Sequence, residues 1–216
     1  MIKRNISVLI IEDHSIIANA YKYILDGIPN TNFKICFAIN CDQAIEQIQH
    51  KNNQLVLLDL QLPVSKNERY LSGDDLGILI KQTSLKTKIV VLTSISNPLR
   101  IINIINAINP EGFILKSDID SKQLKSAIES VLQGNIFYSK TIKKYADIKD
   151  LKGAAIDDLD RQILYHLSMG EKTKDLSKHI PLSTRAIEVR KTKLKTLLVT
   201  KGNSNLIKEA KKLGIV

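Results

Sequence analysis

With 216 residues and a formal charge of +10, the chain has room for one large domain or two small ones, and its basicity is unevenly placed. Residues 1–135 carry 14 Lys/Arg against 13 Asp/Glu, residues 136–150 carry 4 against 2, and residues 151–216 carry 14 against 7, so a polyanionic partner is expected at the C-terminal end alone. Cys36 and Cys41 fit neither a CxxC motif nor a disulfide framework, and the four histidines show no metal-ligand spacing. No leader and no run of membrane-spanning length is present, which gives the expectation of a soluble, cytoplasmic protein.

In chain order, Ile6–Ile11 is an apolar run ending in Glu12-Asp13. Ile17, Ala20, Tyr21, Ile24 and Ile28 then recur at helical spacing, which predicts a helix over 15–26, stopped by Gly27 and Pro29. Phe33–Ile39 reads as a strand, and Asn40 with Gln43 makes a capping box for a helix burying Ala44, Ile45 and Ile48. Leu55–Leu58 is too short for a helix, is bounded by polar residues and ends in Asp59, the pattern of a central strand buried on both faces. After Pro63 comes a polar loop, Val64–Ser72, with Lys66, Glu68, Arg69 and Tyr70. Ser72 and Asp75 form a second capping box before Leu76, Leu79 and Ile80.

The next strand, Lys88–Leu92, ends in Thr93-Ser94. Asn97-Pro98 opens a helix whose Leu99, Ile101, Ile102, Ile104, Ile105 and Ile108 exceed what one stripe hides. The surplus is expected to meet another protein surface. Gly112–Leu115 ends in Lys116, and a helix from Ser121 to Gln133 closes at Gly134. Residues 135–155 lack sustained periodicity and read as a linker, with Ile136-Phe137-Tyr138 expected to pack back. Beyond it, Asp157 and Asp160 cap a helix closing at Gly170. A short helix over Thr173–His179, a turn at Pro181-Ser183, a basic helix from Thr184 to Leu198 and a last helix ending at Gly214 follow.

In open α/β sheets, ligands sit at the carboxyl edge of the strands. A lone strand-end aspartate is ordinarily a turn starter, but this edge would gather Glu12, Asp13, Asp59, Thr93 and Lys116. An acidic pair, a distant acid, a hydroxyl and a lysine in that order resemble the receiver domain of two-component response regulators, over roughly residues 5–133. The resemblance implies an α/β fold, a doubly wound (βα)5 receiver with a parallel sheet, and Asp59 as phosphoacceptor for a histidine kinase. It also implies Mg2+ held directly by Asp13 and Asp59, through a water by Glu12, and by the backbone carbonyl of Gln61. Lys116 would pair with the phosphoryl oxygens, Thr93 would follow them, and Phe113 stands at the aromatic switch position. The loop after Asp59 is longer than the family pattern, whose glycine is matched by Gly73. Phosphatases of related fold place a second aspartate where this chain has Gln61, so a hydrolase is a poor fit.

The C-terminal order of helix, short helix, tight turn and basic helix is that of a helix-turn-helix. Asp157, Asp160, Gly170, Asp175-Leu176, Leu182-Ser183, Ile187, Leu194, Ala210 and Gly214 make 156–216 look similar to the LuxR/FixJ-type DNA-binding domain. By that resemblance Glu188, Val189 and Thr192 face the groove, in place of the family's frequent Lys, Val and Lys, and Arg185, Arg190 and Lys193 lie beside them. The expected organisation is a receiver over 1–134, a linker over 135–155, and an all-α DNA-binding domain over 156–216. The expected partners are a histidine kinase, double-stranded DNA and a second copy of the chain. The alternative reading is a phosphorylation-controlled module whose helical domain docks a protein, favoured by Glu188 and disfavoured by the C-terminal charge.

Overall fold

The computed structural model of the chain describes residues 3–66, 70–147, 156–198, 205–212 and 215. The chain divides into two compact units, Met1–Ser96 with Ala107–Asp147, and Asn97–Asn106 with Ile148–Val216.

The apolar runs of the first unit form strands β1 (Arg4–Ile11), β2 (Thr31–Ala38), β3 (Leu55–Asp59), β4 (Lys88–Thr93) and β5 (Gly112–Leu115). They lie parallel, with a sixth strand, β6 (Phe137–Tyr138), in the order β2-β1-β3-β4-β5-β6. Every residue of β3 is buried, as a central strand with both faces covered requires. On one face, Val8, Ile10, Leu55, Leu57, Val90 and Ile114 meet α1 (Ser15–Asp26) and α5 (Ser121–Leu132) in one core. Each such fully buried side chain contributes about 1.5–3 kcal/mol. Because every strand is followed by a crossover, all the strands end at the same edge, and Glu12, Asp59, Thr93 and Lys116 meet there.

Helix α3 (Gly73–Thr83) starts against the end of β3, and its Ser72/Asp75 capping box is formed. An added Cβ on Gly73 would lie 2.0 Å from the Asp59 carbonyl oxygen and 2.7 Å from the Leu60 Cα, so only glycine fits. The loop between them is closed at its neck. The Ser65 N–H donates to the Tyr70 carbonyl at 2.9 Å, and the Tyr70 N–H returns a bond to Ser65 Oγ at 3.0 Å. Residues 67–69, with Glu68 and Arg69, lie outside the described residues.

The helix α4 (Pro98–Ile108), most of which groups with the second unit, buries Ile101, Ile102, Ile104 and Ile108, the larger part of its apolar surface. One expectation is corrected in the first unit. The stretch expected as linker from 135 forms β6 and a helix, α6 (Lys140–Ala146). A two-residue strand leaves no periodicity to read. It is held because the Phe137 and Ser139 amides donate to the carbonyls of Glu111 and Phe113, at 2.8 and 3.0 Å. Phe137 packs against the core of that face, and Tyr138 sets its ring edge-on to Phe113.

In the second unit, α7 (Asp158–Ser168), α8 (Thr184–Leu198) and α9 (Leu206–Lys212) surround Ile163, Leu164, Leu176, Ile187, Leu194 and Ala210, each with no exposed surface. The Asp157/Asp160 capping box is formed. The short helix expected over Thr173–His179 is instead a single 3-10 turn, Leu176–Lys178. With Pro181 just beyond, the segment closes on i→i+3 bonds such as Lys178 N–H to the Asp175 carbonyl at 3.0 Å. His166, at the end of α7, pairs with Glu171 at 2.8 Å and stacks on His179. The expected end of the last helix at Gly214 falls outside the described residues. No helix among the described residues is long and apolar enough to cross a membrane.

Candidate functional site

At the carboxyl edge of the sheet, Lys116 Nζ donates to Asp59 Oδ2 at 2.8 Å and to Glu12 Oε2 at 3.0 Å. Glu12 is wholly buried at the end of β1, and Asp59 is 4 % exposed. Two buried carboxylates this close repel one another, and the shared ammonium offsets that repulsion. Burial works to lower the Lys116 pKa, but the bonds to Asp59 and Glu12 outweigh it, so the ammonium stays charged. Burial raises Glu12 above the usual carboxylate range, against the pull of Lys116. Tyr21, from α1, stands beside Lys116, and burial pushes its phenol up to about 12.

Asp13 and His14 extend the acidic site outward. His14 Nδ1 lies 3.2 Å from Glu12 Oε1 and 2.8 Å from Asp13 Oδ1, and the bond to Glu12 with the Asp13 charge raises the imidazole pKa. The Asp13 contact lacks hydrogen-bond geometry, so Asp13 Oδ1 is a buried oxygen with no hydrogen-bond partner among the described residues. An orphaned carboxylate oxygen beside the Glu12 carboxylate belongs to a donor set suited to a hard divalent cation. Glu12, Asp13 and His14 can bring one ligand atom each within 4.8 Å of one another. The Asp59 carboxylate also accepts from the Gln61 N–H at 3.1 Å, which fixes the turn that follows it.

Thr93 is fully buried, and its hydroxyl accepts from the Ile95 N–H at 3.0 Å. Phe113 is fully buried within β5. The edge therefore brings together Glu12, Asp13, Asp59, Thr93 and Lys116, with Phe113 behind it. Sequence reasoning missed Tyr21, whose helical spacing marks it only as core. It also missed Asp118 and Ser139, which are described below.

On α8 the expected DNA-facing residues divide. Arg185, Glu188, Val189, Thr192 and Lys193 are exposed at intervals of three and four, on one face. Val189 is 65 % exposed, which is unusual for a valine in the middle of a helix. Arg190 turns inward. Its Nη1 donates to Asp157 Oδ1 and Oδ2, both at 2.7 Å, and to Asp160 Oδ1 at 2.8 Å, so its charge is spent within the unit. Lys193 Nζ lies 3.6 Å from Asp160 Oδ2. Lys191 bonds to Thr173 Oγ1 at 2.6 Å and to Glu188 at 3.2 Å, so the glutamate on this face has a cation of its own.

A parallel sheet whose carboxyl edge gathers an acidic pair, a buried aspartate, a threonine and a lysine defines the class. Residues 8–129, more than half of the chain, match the family model described as the response regulator receiver domain, and the chain belongs to that family. Over nearly full length it is similar to the oxygen regulatory protein NreC. Identity is 21 % over 217 residues with the Staphylococcus haemolyticus protein, covering 95 % of this chain and 96 % of that one. With the Staphylococcus aureus RF122 protein it is 23 % over 218 residues, with the same coverage. Among solved structures, RcsB from Salmonella enterica serovar Typhimurium, bound to promoter rprA in the presence of phosphomimetic BeF3−, aligns with a TM-score of 0.69 and 20 % identity, covering 95 % of this chain and 98 % of that one. The isolated REC domain of RcsB aligns with a TM-score of 0.57 and 24 % identity over 67 % of this chain and all of that one. At these identities the structural likeness establishes the fold.

Proposed function

We propose that this response regulator accepts a phosphoryl group on Asp59 from a histidine kinase and then binds duplex DNA as a dimer through its C-terminal helices to regulate transcription. The observation that carries the reading is the Lys116 ammonium held between Asp59 and Glu12 at 2.8 and 3.0 Å. An Asp59 carboxylate oxygen attacks phosphorus as the P–N bond of a phosphohistidine breaks. The electron pair leaves with the imidazole, which takes up a proton, and Asp59 becomes an acyl phosphate. Lys116 is already within reach of the oxygens that then carry the charge, and the buried Thr93 hydroxyl is next to be drawn in. Phe113, walled by Tyr138, would report that movement to the opposite side of the sheet. Asp13 and Asp59 would hold Mg2+ directly, with Glu12 through a water and the Gln61 carbonyl. When bound, the ion offsets the carboxylate charge that repels an incoming phosphoryl group.

Incubation with a small phosphodonor such as acetyl phosphate and Mg2+ should add one base-labile phosphoryl group, found by mass spectrometry and absent from Asp59→Asn. Equal labelling of that variant would remove Asp59 from the mechanism.

For the second unit, the support is the excess of 14 Lys/Arg over 7 Asp/Glu in residues 151–216 and the exposed face of Arg185, Val189, Thr192 and Lys193. An outward valine in such a face suits a thymine methyl, and its neighbours suit phosphates. In our assignment the receiver, with β6 and α6 docked on it, runs to Asp147, and the DNA-binding module spans 156–216. RcsB, described as bound to promoter DNA and in one structure as two dimers on two DNAs, is the precedent. A second reading, docking of a protein, draws on the exposed Glu188 in the same face. A salt series on duplex binding separates the two, because each phosphate contact adds about −0.9 to the slope of log K against log salt.

A further inference from the structure

Ser139 stands at the start of α6, where a serine ordinarily spends its hydroxyl on its own helix by accepting from an amide of the first turn. Here it makes no such bond. That task falls to Asp118, whose Oδ2 accepts from the Thr141 N–H at 2.8 Å while its Oδ1 accepts from the Thr141 hydroxyl at 2.8 Å. The freed Ser139 hydroxyl does something else. It accepts from the Leu115 N–H at 3.1 Å and donates to Asp118 Oδ2 at 2.6 Å.

Leu115 and Asp118 flank Lys116. Leu115 is the last residue of β5, and Asp118 closes the 3-10 turn Lys116–Asp118. The β5–β6 ladder explains why a side chain is needed. The Ser139 amide donates to the Phe113 carbonyl at 3.0 Å, and β6 ends at Tyr138, so the Leu115 amide has no further strand residue to meet. One hydroxyl thus ties the backbone before the lysine to the Asp118 carboxylate after it, with its single proton and an acceptor lone pair both in use. Ser139 is 2 % exposed, so water has little access to take over either bond if the hydroxyl is removed.

From this juxtaposition we propose that Ser139 is a positioning residue for Lys116, and through it for the phosphoryl group on Asp59. The inference rests on the reading of Asp59 as phosphoacceptor. Its consequence is that the docked β6–α6 segment and the chemistry at the sheet edge are linked. Whatever holds the segment in place holds the lysine, and a phosphoryl group that draws the lysine tightens the segment.

The test uses the full-length protein with Mg2+ and beryllofluoride, a tetrahedral stand-in for the phosphoryl group, titrated by fluorine NMR. Ser139→Ala should bind it about five-fold more weakly than wild type, the worth of one buried hydrogen bond. Ser139→Thr, which keeps the hydroxyl, should stay within about two-fold of wild type. Thr141→Ala, which loosens α6 without touching Leu115, should do the same. In a Lys116→Ala background, Ser139→Ala should have no further effect, since the residue through which it acts is gone. Asp118→Asn keeps the volume and gives up the charge. It should show a smaller loss with Lys116 present and none without it, and it serves if Ser139→Ala does not fold. Unchanged affinity in Ser139→Ala, an equal loss in Thr141→Ala, or the same loss in the Lys116→Ala background would each overturn the proposal. If the wild-type protein binds no beryllofluoride, the phosphoacceptor reading itself falls and takes this inference with it.

Discussion

Gly73 is where a single methyl group has its largest calculable effect. In Gly73→Ala the new Cβ would sit 2.0 Å from the Asp59 carbonyl oxygen and 2.7 Å from the Leu60 Cα, both backbone atoms, where ordinary contact begins at 3.4 Å. The start of α3 and the end of β3 must therefore separate by about 1.4 Å. That movement also stretches the Gly73 N–H bond to the Leu60 carbonyl, now 3.1 Å. Overpacking at about 2 kcal/mol and the hydrogen bond at about 1 kcal/mol give a loss near 3 kcal/mol. For a unit of this size that lowers the melting temperature by roughly 10 °C. The displaced atom belongs to Asp59, the proposed phosphoacceptor, so acetyl phosphate labelling should slow by about tenfold or more. Gly77→Ala is the control. Its Cβ meets the Ile108 Cδ1 at 2.4 Å, the far end of a side chain that can turn, so its cost should be clearly smaller. Calorimetry and timed mass spectrometry on both variants decide the matter. A Gly73→Ala protein that melts within about one degree of wild type and labels at its rate would show that α3 does not approach β3 as described.

Three further outcomes are expected. Arg190→Ala should destabilise the C-terminal unit by about 2 kcal/mol near neutral pH, chiefly because it strips the buried Asp160 of the cation it shares with the half-exposed Asp157. Burial works to raise the Asp157 carboxyl, but Arg190 outweighs it and holds it below its ordinary value. That contribution is present above the ordinary carboxylate pKa and disappears as pH falls through the depressed folded value. The gap between wild type and variant in urea unfolding should therefore narrow in acid, and a constant gap would refute the pairing. Lys116→Met should leave Glu12 and Asp59 without their common ammonium. Added Mg2+ should then raise its melting temperature more than that of wild type, and Asp13→Ala should cancel the gain. On duplex DNA, Arg185→Ala should make the salt slope shallower by about one unit, whereas Arg190→Ala, in whatever fraction stays folded, should leave it unchanged.

The sheet was readable because strands buried on both faces are continuous apolar runs, and Leu55–Leu58 shows the pattern at its plainest. The edge was readable because strand ends converge in any such sheet, so residues far apart in the chain needed no pairwise evidence to be grouped. What escaped shares a physical character. β6 is two residues long and is held by backbone bonds to Glu111 and Phe113, which no side-chain pattern records. Arg190 reads like any other cation of a basic helix until Asp157 and Asp160 are seen opposite it. Asp118 and Ser139 are ordinary polar residues whose roles were exchanged across 21 positions of sequence.

The neck formed by Ser65 and Tyr70 carries a consequence of an engineering kind. Two reciprocal bonds tie the chain at 2.9 and 3.0 Å, and Lys66 N–H is anchored on Asp42 at 3.3 Å, so the ends of the excursion are fixed whatever lies between them. Loop length then costs little, since each doubling adds only about 0.6 kcal/mol of closure entropy. An epitope, a fluorophore tag or a binding peptide spliced between Lys66 and Tyr70 should therefore leave the bonds of Ser65, Lys66 and Tyr70 in place, with Pro63 and Gly73 keeping theirs.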